Sequence, residues 1–141
     1  MRFWFLISAI FFLSCNAGSD CSVGEIEIAQ SVLEQARKNA FPYCLTFHKA
    51  ANKDTTALLQ LIRFAYKTDD NSAIDHGIAF TELSIKLGDD FMSKFLKMQK
   101  TEHLLLVAKM FQACMEYREP SLDLEPYLPA TLNLLSDSLS K

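Results

Sequence analysis

The 141-residue chain carries 14 Lys+Arg against 17 Asp+Glu, is half hydrophobic, and contains 4 Gly, 4 Pro and 4 Cys. That length suits one domain and excludes a two-domain cofactor enzyme or a TIM barrel. A 22% charged fraction with 11 Phe is too apolar for a disordered chain, and a net charge of −3 offers no basic face to nucleic acid.

Twenty Leu and 14 Ala stand against 3 Val, 8 Ile and 7 Thr. Unbranched side chains keep more rotamer freedom in a helix, whereas β-branched ones suit a sheet. An all-α fold is expected.

Met1-Arg2 precedes an apolar run from Phe3 to Leu13, with small residues after it. This is the pattern of a secretory signal over residues 1–14, shorter than the ~18–20 residues of a membrane-spanning helix. The string Phe11-Phe12-Leu13-Ser14-Cys15 resembles the lipobox of bacterial lipoproteins, although Phe12 stands where that family usually carries Leu. The resemblance implies lipid attachment at Cys15. Cys15-Asn16-Ala17 also satisfies the small-x-small rule for ordinary cleavage before Gly18. Residues 15–21 read as a polar tether on either route. The expected location is the bacterial periplasm or envelope, or otherwise outside the cell, with membrane contact only through a lipid on Cys15.

The body, residues 22–141, reads as helices. Ser22-Val23-Gly24-Glu25 has a capping-box pattern, followed by Ile26, Ala29, Val32, Leu33, Ala36 and Ala40 at three-to-four spacing. Pro42 ends or kinks that helix, and Tyr43 to Ala51 continues it. Asp54 caps a second helix whose apolar positions are Leu58, Leu61/Ile62 and Ala65/Tyr66. Asp69-Asp70-Asn71 is a turn, and Ser72 with Asp75 opens a third helix as a capping box. That helix carries two apolar stripes, Ile74/Ile78/Ile85 and Phe80/Leu83/Leu87, which predicts burial on two sides. Gly77 within it predicts a close approach of another helix, and Gly88 ends it. Asp89 or Asp90 starts a short fourth helix, and Thr101 caps a fifth with Leu104, Ala108, Phe111 and Met115 inward. Pro120 to Pro129 is an extended crossing pinned by Leu122, Leu124 and Leu128; Pro129 opens a last helix with Leu132, Leu135 and Leu139.

These elements make a single domain of five to six helices, with antiparallel α-hairpins at 54–87 and 89–118. The run Asp75-His76-Gly77-Ile78-Ala79-Phe80-Thr81-Glu82-Leu83, followed by Leu87-Gly88-Asp89-Asp90-Phe91, resembles the cadence of HEAT-like repeats. A compact bundle accounts for the same pattern, and two hairpins fall short of the three or so repeats that a solenoid needs.

The chemistry-bearing residues are few. Neither a Gly-rich phosphate loop, a G-x-S-x-G elbow, an H-E-x-x-H string nor a paired C-x-x-C occurs. Asp69-Asp70-Asn71 fails as a calcium loop, because Ala73 takes the fifth ligand position and no glycine the sixth. Cys44 and Cys114 lie in apolar helical patterns and are the expected disulfide pair; Cys21 is free or replaces one of them. His76 sits on an apolar stripe as a core histidine, Cys44 and His48 have i,i+4 metal-ligand spacing but no further ligands, and His103 reads as exposed. The acidic turns, Asp69/Asp70 and Asp89/Asp90, are either helix caps or a surface for a basic partner.

No enzyme activity, cofactor or metal is expected; the chemistry favours binding another protein. Cys44 and the string Cys114-Met115-Glu116-Tyr117, in a small exported helical chain, resemble the periplasmic amidase-immunity proteins of type VI secretion. That likeness implies inhibition of a secreted hydrolase toxin. A small-molecule or lipid carrier is the alternative that the Phe and Met content suggests.

Overall fold

The computed structural model describes residues 21–118 and 122–140. Seven α-helices and one small hairpin make up the fold among these residues. The segment 1–14 read as a signal, Cys15 and Pro120 lie outside them.

Residues 22–27 depart from the helical reading. β1 (Ser22–Val23) and β2 (Ile26–Glu27) pair antiparallel, Ser22 opposite Glu27 and Val23 opposite Ile26. Gly24 takes φ +62° at the turn, and Ile26 and Ile28 point inward between exposed Glu25 and Glu27. This local period of two overrides the capping-box pattern.

α1 (Gln30–Lys38) buries Val32 and Ala36. It stops because Ala40 adopts φ +49° while Phe41 N–H donates to the Ala36 carbonyl (2.9 Å) and Ala40 N–H to Arg37 (3.1 Å), a Schellman closure. Ala40 therefore terminates the helix rather than extending its face. α2 (Tyr43–Ala51) starts directly after Pro42 and ends the same way, Lys53 taking φ +65°. α3 (Thr55–Phe64) is capped by Asp54, whose carboxylate accepts from Ala57 N–H (3.0 Å), and a 3-10 turn (Ala65–Lys67) follows.

α4 (Asp70–Leu87) is the central helix. It buries His76, Gly77, Phe80, Thr81, Leu83, Ser84 and Leu87 on several sides and ends at Gly88, φ +89°. α5 (Asp89–Lys97) carries the chain to α6 (Thr101–Tyr117), and α7 (Pro129–Leu139) closes the fold, with Leu124 and Leu128 buried in the crossing before it.

The most extensive helix pairs are α4 with α6, α2 with α3, and α5 with α7. Two of these skip a neighbour in sequence, so the expected hairpins at 54–87 and 89–118 are not the main packing units. At 18 residues α4 is about 27 Å long. Its two-sided apolar surface serves several partners at once. Along α4 and α6 the contacts advance in the same sense: Ala73 and Ile74 share a cleft with Leu106 and Lys109, Gly77 meets Met110 and Ala113, and Glu82 pairs with Arg118.

Gly77 sets the spacing of that pair. A Cβ there would lie 3.0 Å from the Met110 carbonyl oxygen and 3.2 Å from the Ala113 Cβ. Beside it, Thr81 Oγ1 lies 2.8 Å from the Gly77 carbonyl and 3.3 Å from that of Met110. Because the obstruction is α6 backbone, it cannot rotate aside. Gly77→Val is expected to cost about 2–3 kcal/mol, read as a lower urea midpoint at unchanged m-value. Gly77→Ala should cost less, since alanine regains about 1 kcal/mol of helix preference.

Candidate functional site

The acidic turns do not converge. Asp69 and Asp70 lie at the start of α4 and Asp89 and Asp90 just past its end, at opposite ends of the helix. Asp69 caps α4: its Oδ1 accepts from Ser72 N–H (3.1 Å) while Ser72 Oγ accepts from Asp69 N–H (2.9 Å). The capping box is thus Asp69/Ser72, one turn ahead of the Ser72/Asp75 pattern. The hydroxyl and amide of Ser72 hold the Asp69 carboxyl below the usual carboxylate range. Asp70 is exposed in the first turn, favourably placed for the helix dipole. Asp90 forms an exposed i,i+4 pair with Lys94 at 2.9 Å, worth little.

Asp89 does something the sequence did not reveal. α7 begins with Leu128 at its N-cap and Pro129 at its first position, so no local side chain caps it. Asp89 supplies the acceptors from α5, its two oxygens receiving Ala130 N–H (2.9 Å) and Thr131 N–H (2.8 Å). Burial alone would raise its carboxyl, but these amide donors of Thr131 and Ala130 outweigh that and hold it below the usual range.

The cysteine pairing differs from the expected one. Cys21 and Cys44 form the disulfide, with Cα atoms 5.3 Å apart, whereas Cys114 is a buried thiol on α6. α2 packs on α3 and β1 while α6 packs on α4, which places Cys44 beside the hairpin. The bridge removes Cys44 from any pairing with the exposed His48. Among the described residues, no group of three or more His, Cys, Asp or Glu is placed to hold a metal ion.

His103 is 4% exposed rather than at the surface. It heads the buried stripe His103, Val107, Met110, Cys114, which helical spacing makes legible once the register of α6 is known. Its Nδ1 has no hydrogen-bond partner.

His76 is the best-defined polar centre in the core. Nε2 lies 3.0 Å from the Leu61 carbonyl and Nδ1 2.7 Å from the Tyr43 hydroxyl. A carbonyl only accepts, so Nε2 carries the proton and Nδ1 accepts from Tyr43 O–H. Tyr43, Phe64 and Phe80 enclose the ring at centroid distances of 5.6, 5.3 and 6.3 Å. Burial pushes the imidazole down to about 4, the Leu61 carbonyl opposing it, and raises the Tyr43 phenol. Both ring nitrogens are committed inside the protein, which leaves no lone pair for substrate or metal.

The surface carries open clefts. A polar one of about 300 Å³ lies among Glu25, Glu27, Asp75, Ile78 and Arg118. A larger one of about 400 Å³ lies between Leu96, Lys97, Thr101, Leu104 and Leu134. The third, about 170 Å³, is walled mainly by apolar atoms of Ala65, Ala73, Ile74, Leu106, Met110 and Ala113. Tyr66, next to Ala65 in the chain, Leu105, next to Leu106, and Tyr117, one helical turn beyond Ala113, are exposed large side chains. The signal for this cleft was Leu104-Leu105-Leu106: three consecutive leucines span about 200° of a helix, so they cannot all face one core.

Two outcomes follow from these contacts. Asp89→Ala should cost about 1–2 kcal/mol by uncapping α7, with faster amide exchange confined first to that helix. The Asp89 contribution is present above its ordinary value and fades as acid protonates it. Reducing Cys21–Cys44, whose sequence separation is 23, should cost about 3 kcal/mol in a urea titration of oxidised against reduced protein. No family model matches the chain, and neither a curated protein nor a solved structure does.

Proposed function

We propose that the chain is an exported, non-enzymatic domain that binds another protein through the apolar cleft between the 3-10 turn, the start of α4, and α6. The observation that carries this reading is the cleft itself, walled mainly by apolar atoms, with exposed Tyr66, Leu105 and Tyr117 within one helical turn of its lining residues in the chain. Tyrosines beside an apolar pocket are among the usual makings of a protein–protein hot spot. Support for export comes from the Phe3–Leu13 run and from a disulfide, which persists in oxidising compartments. Lipid attachment at Cys15 belongs to this proposal, as does inhibition of a secreted hydrolase as the use made of the binding.

The positions of the three histidines support the non-enzymatic part. His76 spends both nitrogens internally, His48 is exposed on α2, and His103 is buried on α6. A carrier role has less support. The largest core side chains, Phe47, Phe64, Phe80 and Phe111, are fully buried.

A photo-crosslinking residue at position 105 should trap one discrete partner in envelope extract, and Leu106→Arg should weaken that capture at least tenfold without lowering helix content. Equal trapping from exposed Asn133 on α7, or indifference to Leu106→Arg, would remove the proposal.

A further inference from the structure

His76 stands at a seam. It belongs to α4, yet its two hydrogen bonds leave that helix for the adjacent pair, one to Tyr43 of α2 and one to the Leu61 carbonyl of α3. α2 and α3 pack chiefly on each other, while α4 packs chiefly on α6. The ring therefore joins two helix pairs, and its aromatic shell is drawn from both sides, Tyr43 and Phe64 from one and Phe80 from the other.

We propose that His76 is an acid-sensitive latch, and that a proton taken up at Nδ1 releases the α2–α3 pair from α4 before the α4–α6 pair comes apart. The added proton occupies the lone pair that accepts from Tyr43, so the phenolic hydrogen must turn away from its one bonded acceptor. It also places a cation in a shell of aromatic rings. Among the described residues, no compensating anion acts on the ring. From α2 the titratable group on the ring is Tyr43 itself, while His48 and Lys49 are exposed. α3 presents Phe64 and a backbone carbonyl, with Arg63 exposed. On α4, Asp75 precedes His76, but its carboxylate accepts from Ser31 of α1. α6 meets α4 at Gly77 through Met110 and Ala113, and the titratable groups it buries are His103 and Cys114.

The links that remain in acid set how far the pair moves. The Cys21–Cys44 bridge keeps α2 on the hairpin, and Gln35 and Asn39 of α1 both donate to the Lys67 carbonyl after α3. Release is thus a local opening of covalently retained helices.

The sign follows from linkage. With an ordinary value of 6.5 when open and about 4 when closed, the latch holds fully above pH 6.5 and fails as pH falls toward 4. Opening should rise about a hundredfold between pH 7 and pH 4. Hydrogen exchange of the full chain, corrected for intrinsic rates, should show peptides of α2 and α3 losing protection in acid while α6 keeps its own. His76→Gln presents one donor and one acceptor without titrating and should abolish the difference. Simultaneous loss of protection in α2, α3 and α6, or an unchanged acid response in His76→Gln, would overturn the latch. Should His76→Gln not fold, ring titration by NMR in the wild type decides the matter. A midpoint near 4 that tracks α2–α3 exchange supports the latch, and a midpoint near 6.5 with protection unchanged overturns it.

Discussion

At Gly77 the backbone of α4 comes so close to α6 that a single methyl group would meet the Met110 carbonyl, and the other elements are arranged around that contact. Helices separated by bulky side chains tolerate small shifts, but helices in backbone contact do not. With α4 and α6 fixed, the sides of α4 left uncovered dictate the rest. α2 and α3 cover the His76–Phe80 side, and Asp75 meets α1 through Ser31. Around the same pair, α7 packs on α5 and α6.

Helix ends carry much of the remaining specification, and the chain satisfies them at very different ranges. Asp54 and Asp69 cap their own helices three residues away. Asp89 acts across 42 positions, giving α7 the cap that Leu128 and Pro129 cannot provide. That single carboxylate fixes where α7 starts relative to α5, so a local device becomes a tertiary restraint. Ala40 and Lys53 accept left-handed backbone at a cost of about 1–2 kcal/mol each. The next helix begins within three residues of each, which leaves no room for a looser turn.

What was legible in the sequence was what short-range chemistry determines. Asp54 as a cap, Gly88 as a stop, Pro129 at a helix start and two-sided burial of residues 70–87 each rest on neighbours within one or two turns. Gly77 was legible too, because a glycine inside a long helix needs a packing reason. The disulfide partner was not. Cys44 has the same apolar surroundings in sequence whichever cysteine it joins, and only the hairpin at 22–27 brings Cys21 to it. That hairpin was itself masked, since Ser-x-x-Glu serves equally as a helix start when nothing shows that Gly24 has positive φ. His103 failed for a related reason: a first-turn residue reads as exposed until the buried stripe of α6 is registered through Val107 and Met110.

The distribution of polar work bears directly on where function can lie. The imidazole of His76 and the hydroxyl of Tyr43 satisfy each other, Asp69 and Asp89 satisfy helix ends, and Cys44 is bridged. Altering these side chains would disturb stability first. Tyr66, Leu105 and Tyr117 have the opposite character, exposed although large and apolar. Lys109 lines the apolar cleft, and Glu102 and Glu116 lie seven residues to either side of it on α6. Two copies of α6 crossing antiparallel about Lys109 would set lysine against lysine and glutamate against glutamate. The charge order opposes that one self-pairing.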